Sequence, residues 1–256
     1  MLIESAFFKL SDYFQSIESP GELYESQVSF IFAVAIFQEL QSRGFPFLLP
    51  YIQVNRPYLQ QKQNRKVDVY LKIPKSKLPA EILHRWANSG VCEENWIEVK
   101  FFGGAERKEI TSTEPKTQNL GKLLEALLRL KFYVREGGKY LLLVFNRKPE
   151  YYLPFSDRKY LPTLLKPGRD SVKIDFMEKQ KTVVKFISED LKKLVIEKKE
   201  IEFDLQKYSI EPLVVKGLII PSDSGVLRKS KWGGAPVGEP TYYFHLLRIL
   251  ETYEKR

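Results

Sequence analysis

The sequence predicts an α/β protein with a mixed central sheet flanked by helices and a smaller C-terminal α+β lobe. Three observations predict it. Apolar stripes at helical spacing stand on both sides of strand-like segments. The run Tyr140 to Phe145 is almost continuously apolar, as suits a strand buried on both faces. After Phe145 the texture changes, with Pro149, Pro154, Pro162, Pro167 and Gly168 scattered among Tyr and Phe. The expected division is therefore a core over residues 1–150 and a basic lobe over 151–256.

In chain order, Leu2, Ile3, Ala6, Phe7, Leu10, Phe14 and Ile17 form one helical stripe. Ser19-Pro20-Gly21-Glu22 reads as a fresh helix start, with Ser19 as cap and Pro20 in the first turn. That helix is expected to run to about Ser42, its stripe of Val28, Ile31, Phe32, Ala35, Ile36 and Leu40 facing a sheet. Strands are expected at Phe47–Val54 and Lys66–Ile73. In the second, Val67, Val69 and Leu71 should share one face and Lys66, Asp68 and Tyr70 the other. The stretch from Pro74 to Asn95 reads as an insertion with a short helix near Glu81–Ala87.

Next comes Trp96-Ile97-Glu98-Val99-Lys100-Phe101-Phe102, a β-friendly run holding one acid and one base two positions apart. Alternation puts Trp96, Glu98 and Lys100 on one face and Ile97, Val99 and Phe101 on the other. Thr113-Glu114-Pro115 opens a leucine-striped helix reaching about Arg135, and Gly137-Gly138 stops it. On that helix Lys116, Lys122 and Arg129 fall on the side expected to meet solvent. Further on, a strand is expected near Thr182–Ile187, a helix capped by Ser188, and strands at Leu213–Ile220 and Val226–Trp232. Thr241–Leu250 fits either strand or helix.

The chain carries a formal net charge of +9, which favours a polyanionic partner, either nucleic acid or a membrane surface. No apolar run is long enough to span a bilayer, so no membrane partner is expected. The opening Met-Leu-Ile-Glu-Ser has no basic region ahead of an apolar stretch, and a cytoplasmic location is expected. One cysteine and two histidines exclude an intrachain disulfide framework, a Cys-rich zinc site and a multi-histidine metal site.

An acid-x-Lys tripeptide carries little information alone, since chance supplies about 3 or 4 at this composition. Six occur in the sequence, and only Glu98/Lys100 sits in an apolar strand. Between Arg43 and Lys77, eight basic residues surround Asp68 as the one acid. Such a rim suits phosphate. Hard carboxylate oxygens suit Mg²⁺, and a neighbouring ammonium can offset charge building on phosphorus.

With this order of elements and these residues, the chain resembles the PD-(D/E)XK nuclease superfamily, the fold of many restriction endonucleases. The family's core of helix, three strands, helix and strand aligns with residues of roughly 20–146. The resemblance implies a catalytic triad of Asp68, Glu98 and Lys100. It implies metal ligation by Asp68 and Glu98, joined by a helix glutamate at Glu25 or, less favoured, Glu22. Val67 stands where the motif has proline, and the Asp68–Glu98 spacing is long because of the insertion. The implied cofactor is Mg²⁺, with Mn²⁺ able to substitute. The implied activity is endonucleolytic cleavage of double-stranded DNA, most like a type II restriction enzyme. The rivals are a structure-specific or defence nuclease acting on ends, junctions or RNA, and a nucleic-acid-binding module without chemistry. Arg65, Lys66, Lys116 and Lys122 are the expected nucleic-acid contacts on the core. In the C-terminal lobe, Arg228, Lys229, Lys231 and Trp232 combine bases and an aromatic with flexible glycines, and the lobe is expected to touch DNA or form a homodimer.

Overall fold

The computed structural model describes residues 2–16, 23–58, 65–81, 83, 92–103, 115–176, 181–215 and 241–250. It is an α/β protein built on one seven-stranded mixed sheet. The helices are α1 (Leu2–Phe8), α2 (Leu10–Gln15), α3 (Glu25–Ser42), α4 (Lys116–Phe132), α5 (Pro149–Tyr152), α6 (Tyr160–Leu165), α7 (Lys181–Val184) and α8 (Glu189–Lys198). The strands are β1 (Ile52–Pro57), β2 (Lys66–Lys72), β3 (Glu94–Phe102), β4 (Gly138–Phe145), β5 (Gly168–Asp175), β6 (Glu200–Val214) and β7 (Thr241–Ile249). Their spatial order is β1-β2-β3-β4-β7-β6-β5.

Among the described strands only β3 and β4 run parallel, and α4 makes the crossover between them, as parallel neighbours require. Leu120, Leu123, Leu124, Leu127, Leu128 and Leu130 are all buried on this helix. At about 2 kcal/mol for each fully buried leucine, this stripe fixes which way the helix faces. Pro115, the last residue of the expected start, is its N-cap. Helices α4, α6 and α8 cover one face of the sheet, together with Trp96 and Phe102 of β3. Helices α1 to α3 cover the other, together with Ile97, Val99 and Phe101. The expected alternation along β3 therefore holds, but neither face is wet.

Several expectations are corrected. The first stripe is two helices broken at Lys9, although its described apolar residues are buried as expected. The second stripe begins as a helix at Glu25, its entry secured by a bond from the Tyr24 amide to the Gln27 side chain (2.8 Å). The start read at Ser19–Glu22 lies outside the described residues. The first part of the strand expected at Phe47–Val54 is a 3₁₀ segment, Pro46–Tyr51, because two prolines preset helical φ and withhold ladder donors, and the strand begins only at Ile52. The strand expected at Thr182–Ile187 is instead the helical turn α7. The stretch 168–175, where the sequence suggested no element, is strand β5, and β6 takes in the expected start at Leu213. Most of the Glu81–Ala87 helix and the whole Val226–Trp232 strand lie outside the described residues. No gap in the sheet separates residues before and after 150, since β4 pairs directly with β7, which continues through β6 to β5.

A local departure at Asp68 matters most. The β1–β2 ladder skips the Asn55–Asp68 position, and Asn55 there takes a left-handed φ of 59°. The β2–β3 ladder begins only at Val69↔Ile97. Val67 packs on the α4 side whereas Val69 and Leu71 pack on the α3 side, so these three do not share the face that simple alternation assigned. The strand turns over at Asp68. From Glu98 to Phe102, the edge of β3 facing β2 has no strand beside it among the described residues.

Candidate active site

An unpaired strand edge inside a protein must find partners for its backbone groups. Here side chains supply them. The Val99 amide donates to Asp68 Oδ2 (2.7 Å), and the Phe101 amide, two residues on and therefore on the same edge, donates to Glu25 Oε2 (3.3 Å). The Val99 carbonyl accepts from Lys100 Nζ (2.6 Å). Strand separation thus gathers Asp68 from β2, Glu25 from the first turn of α3, and Glu98 and Lys100 from β3.

Lys100 Nζ is the hub. It lies 2.9 Å from Glu25 Oε1, 3.8 Å from Asp68 Oδ2 and 3.9 Å from Glu98 Oε2. Burial alone would depress its pKa, but Asp68, Glu98 and Glu25 together hold it raised, so the lysine stays an ammonium. Asp68 is pushed up to about 6. Burial is the largest cause, Lys100 and the Val99 amide oppose it, and the charges of Glu98 and Glu25 reinforce it.

Glu98 is only 1% exposed, and its two oxygens have different fates. Oε1 accepts a short bond from the Tyr58 hydroxyl and lies 3.5 Å from Arg129 Nη1. Oε2 is buried and has no hydrogen-bond partner among the described residues. Leaving a buried carboxylate oxygen unmatched costs on the order of 1–3 kcal/mol or more. An exposed sheet face holding an ordinary ion pair would carry no such cost, and at 1% and 9% exposure Glu98 and Lys100 are not on one.

Among the described residues, Asp68, Glu98 and Glu25 face two cations, Lys100 and Arg129, and Arg129 is shared with Glu125. Among the described residues no group of three or more His, Cys, Asp or Glu converges to cage an ion. The Asp68–Glu98 pair with its orphaned oxygen nevertheless fits a hard divalent cation. Mg²⁺ accepts one or two carboxylates and leaves its other positions to water and phosphate oxygens. Glu25 meets Lys100 and the strand edge directly, so it neutralises the lysine as well as standing near the pair.

The remaining expected residues fare differently. Arg65 is 17% exposed and lies within ion-pair reach of Glu125 (3.1 Å) and Asp190 (3.2 Å), and it donates to Ser188 Oγ (2.6 Å). Its guanidinium serves helix–helix contact before any phosphate. Lys66 and Lys122 are exposed. Lys116, also exposed, donates to the Glu150 carbonyl (2.7 Å). Much of the basic rim between Arg43 and Lys77 is matched locally, Arg43 by Glu39, Lys72 by Glu94 and Lys75 by Glu93. Arg228, Lys229, Lys231 and Trp232 lie outside the described residues. His245 is neutral in the structure, its pKa lowered to about 4 by burial. Two site residues were not expected. Arg129 is not on a solvent face but beside Glu98, and Tyr58 went unmarked. The one sequence signal for Arg129 was Glu125 one turn earlier, which pairs with it.

No family model, no curated protein and no solved structure matches this chain. Among the described residues no helix is long and apolar enough to cross a membrane.

Proposed function

We propose that this protein is a divalent-metal-dependent endonuclease acting on double-stranded DNA, most like a type II restriction enzyme of the PD-(D/E)XK superfamily. The observation that carries the reading is the parting of β2 from β3 at Asp68. It opens one strand edge and turns Asp68 and Glu98 toward the ammonium of Lys100, with Glu98 Oε2 left unmatched. The order of α3, β1, β2, β3, α4 and β4 supports the same reading.

Mg²⁺ held by Asp68 and Glu98 would supply Lewis acidity, polarising a phosphate oxygen and lowering the pKa of an attacking water. Lys100 contributes a fixed positive charge beside the carboxylates, placed to orient that water and to offset the charge gathering on phosphorus. Glu25 and the Val99 carbonyl hold the ammonium in place, so little reorganisation is needed during reaction. Exposed Lys66, Lys116 and Lys122 and the overall charge of +9 favour a phosphate backbone as partner.

Incubation with duplex DNA, with and without Mg²⁺, tests the reading. Discrete fragments that need the metal are the expected result. A smear would replace sequence-specific cleavage with non-specific cleavage. Cutting confined to ends, junctions or RNA would move the substrate to the structure-specific or defence class. Retained DNA binding without any cleavage would make the protein a binding module and overturn the enzymatic reading.

A further inference from the structure

We infer that Tyr58 and Arg129 are positioning residues that hold Glu98 by one oxygen and thereby dedicate the other to the metal. The inference rests on the proposed metal-dependent function and deepens it.

A glutamate side chain ends in a soft torsion that exchanges its two oxygens. A carboxylate free to rotate presents no fixed ligand atom. In this structure both attachments fall on the same oxygen. Oε1 takes the Tyr58 hydroxyl and faces Arg129 Nη1 at 3.5 Å, while Oε2 has no hydrogen-bond partner and lies 3.9 Å from Lys100 Nζ.

The holders are themselves held. The Tyr58 ring stacks on Trp96 at 5.6 Å with an 8° interplanar angle, and it meets the edge of Tyr133 at 5.7 Å. Its amide bonds the Arg65 carbonyl (3.0 Å), closing the β1–β2 connection. Arg129 lies 3.2 Å from Glu125, which lies 3.1 Å from Arg65. Such outer partners orient a metal ligand, and their loss typically costs 10–100-fold in metal affinity. If the sole task of Tyr58 were to satisfy a buried carboxylate, both oxygens would be equally good targets. The arrangement instead gives both attachments to one oxygen and leaves its twin without a hydrogen bond, 3.9 Å from the Lys100 ammonium.

Mn²⁺ binding by the full chain, followed by loss of the free-ion EPR signal, tests this directly. Tyr58→Phe removes one hydroxyl and keeps the stack on Trp96. It should weaken Mn²⁺ binding about tenfold or more. Cleavage by this variant should recover toward the wild-type rate as Mn²⁺ is raised to saturation. Tyr140→Phe is the control, because it loses its bond to buried Glu4 on the other face of the sheet from Tyr58 and Arg129. It should lower the melting temperature and leave Mn²⁺ affinity unchanged. Equal Mn²⁺ affinity in wild type and Tyr58→Phe would overturn the positioning role while leaving the metal site standing. No Mn²⁺ uptake by the wild type would overturn the metal site itself, and the positioning role with it. Should Tyr58→Phe fail to fold, Arg129→Lys keeps the charge, loses the planar fork, and carries the same two outcomes.

Discussion

In the metal-free protein, Asp68 occupies a place that penalises its charge. Its folded pKa stands at about 6 against 3.8 for the free side chain, because burial and the charge of Glu98 outweigh Lys100. Folding therefore favours the protonated form. The stability this group contributes is fully present below about pH 3.8 and is lost as pH rises through about 6. The difference is on the order of 3 kcal/mol above that window. Asp68→Asn keeps an acceptor for the Val99 amide and removes the charge. It should raise the melting temperature in EDTA at pH 7.5 and lose that advantage at pH 4. Mg²⁺ or Mn²⁺ should then stabilise the wild type more than the variant, by mass action on the native state. If Asp68 were simply an ion-pair partner of Lys100, Asp68→Asn would melt lower in EDTA and both proteins would respond equally to metal.

At the level of elements, the site exists because β2 abandons β3 at one residue. Asn55 stands opposite that residue with a φ of 59°, a conformation that asparagine tolerates better than branched side chains. Asn55→Gly should be close to neutral. Asn55→Val should cost about 1–2 kcal/mol in denaturant unfolding and weaken Mn²⁺ binding if the break in pairing shapes the site. A valine variant as stable and as metal-competent as the wild type would make the break incidental. The sequence made β3 and its Glu98/Lys100 pair legible, because period-two alternation survives there. It could not show the turnover of β2, since Val67, Val69 and Leu71 look like one face until the ladder stops at Val69. Tyr58 and Arg129 could not be placed beside Glu98 from the sequence for a related reason. Their partner Glu98 lies 40 and 31 residues away, and nothing local in the chain encodes the meeting.

For the whole molecule, the sheet is one body running from β1 to β5, so the second half of the chain buttresses the first. The body of β6, ahead of the expected start at Leu213, went unread although Ile201, Phe203 and Leu205 alternate with Glu200, Glu202 and Asp204. The net charge of +9 belongs to this scale as well. DNA affinity should fall steeply with salt, and Lys229→Ala with Lys231→Ala should flatten the slope if that segment meets phosphate. An unchanged slope would remove it from the interface. Cleavage of end-labelled duplex DNA by wild type, Glu98→Gln and Lys100→Ala, each in Mg²⁺ and in EDTA, bears most directly on the proposed chemistry. Wild type should cut only with Mg²⁺. Both variants should lose about 100-fold or more in rate while still binding the duplex and melting cooperatively. Cutting that persists in EDTA, or Lys100→Ala cutting at the wild-type rate, would contradict a metal-assisted site built on Asp68, Glu98 and Lys100.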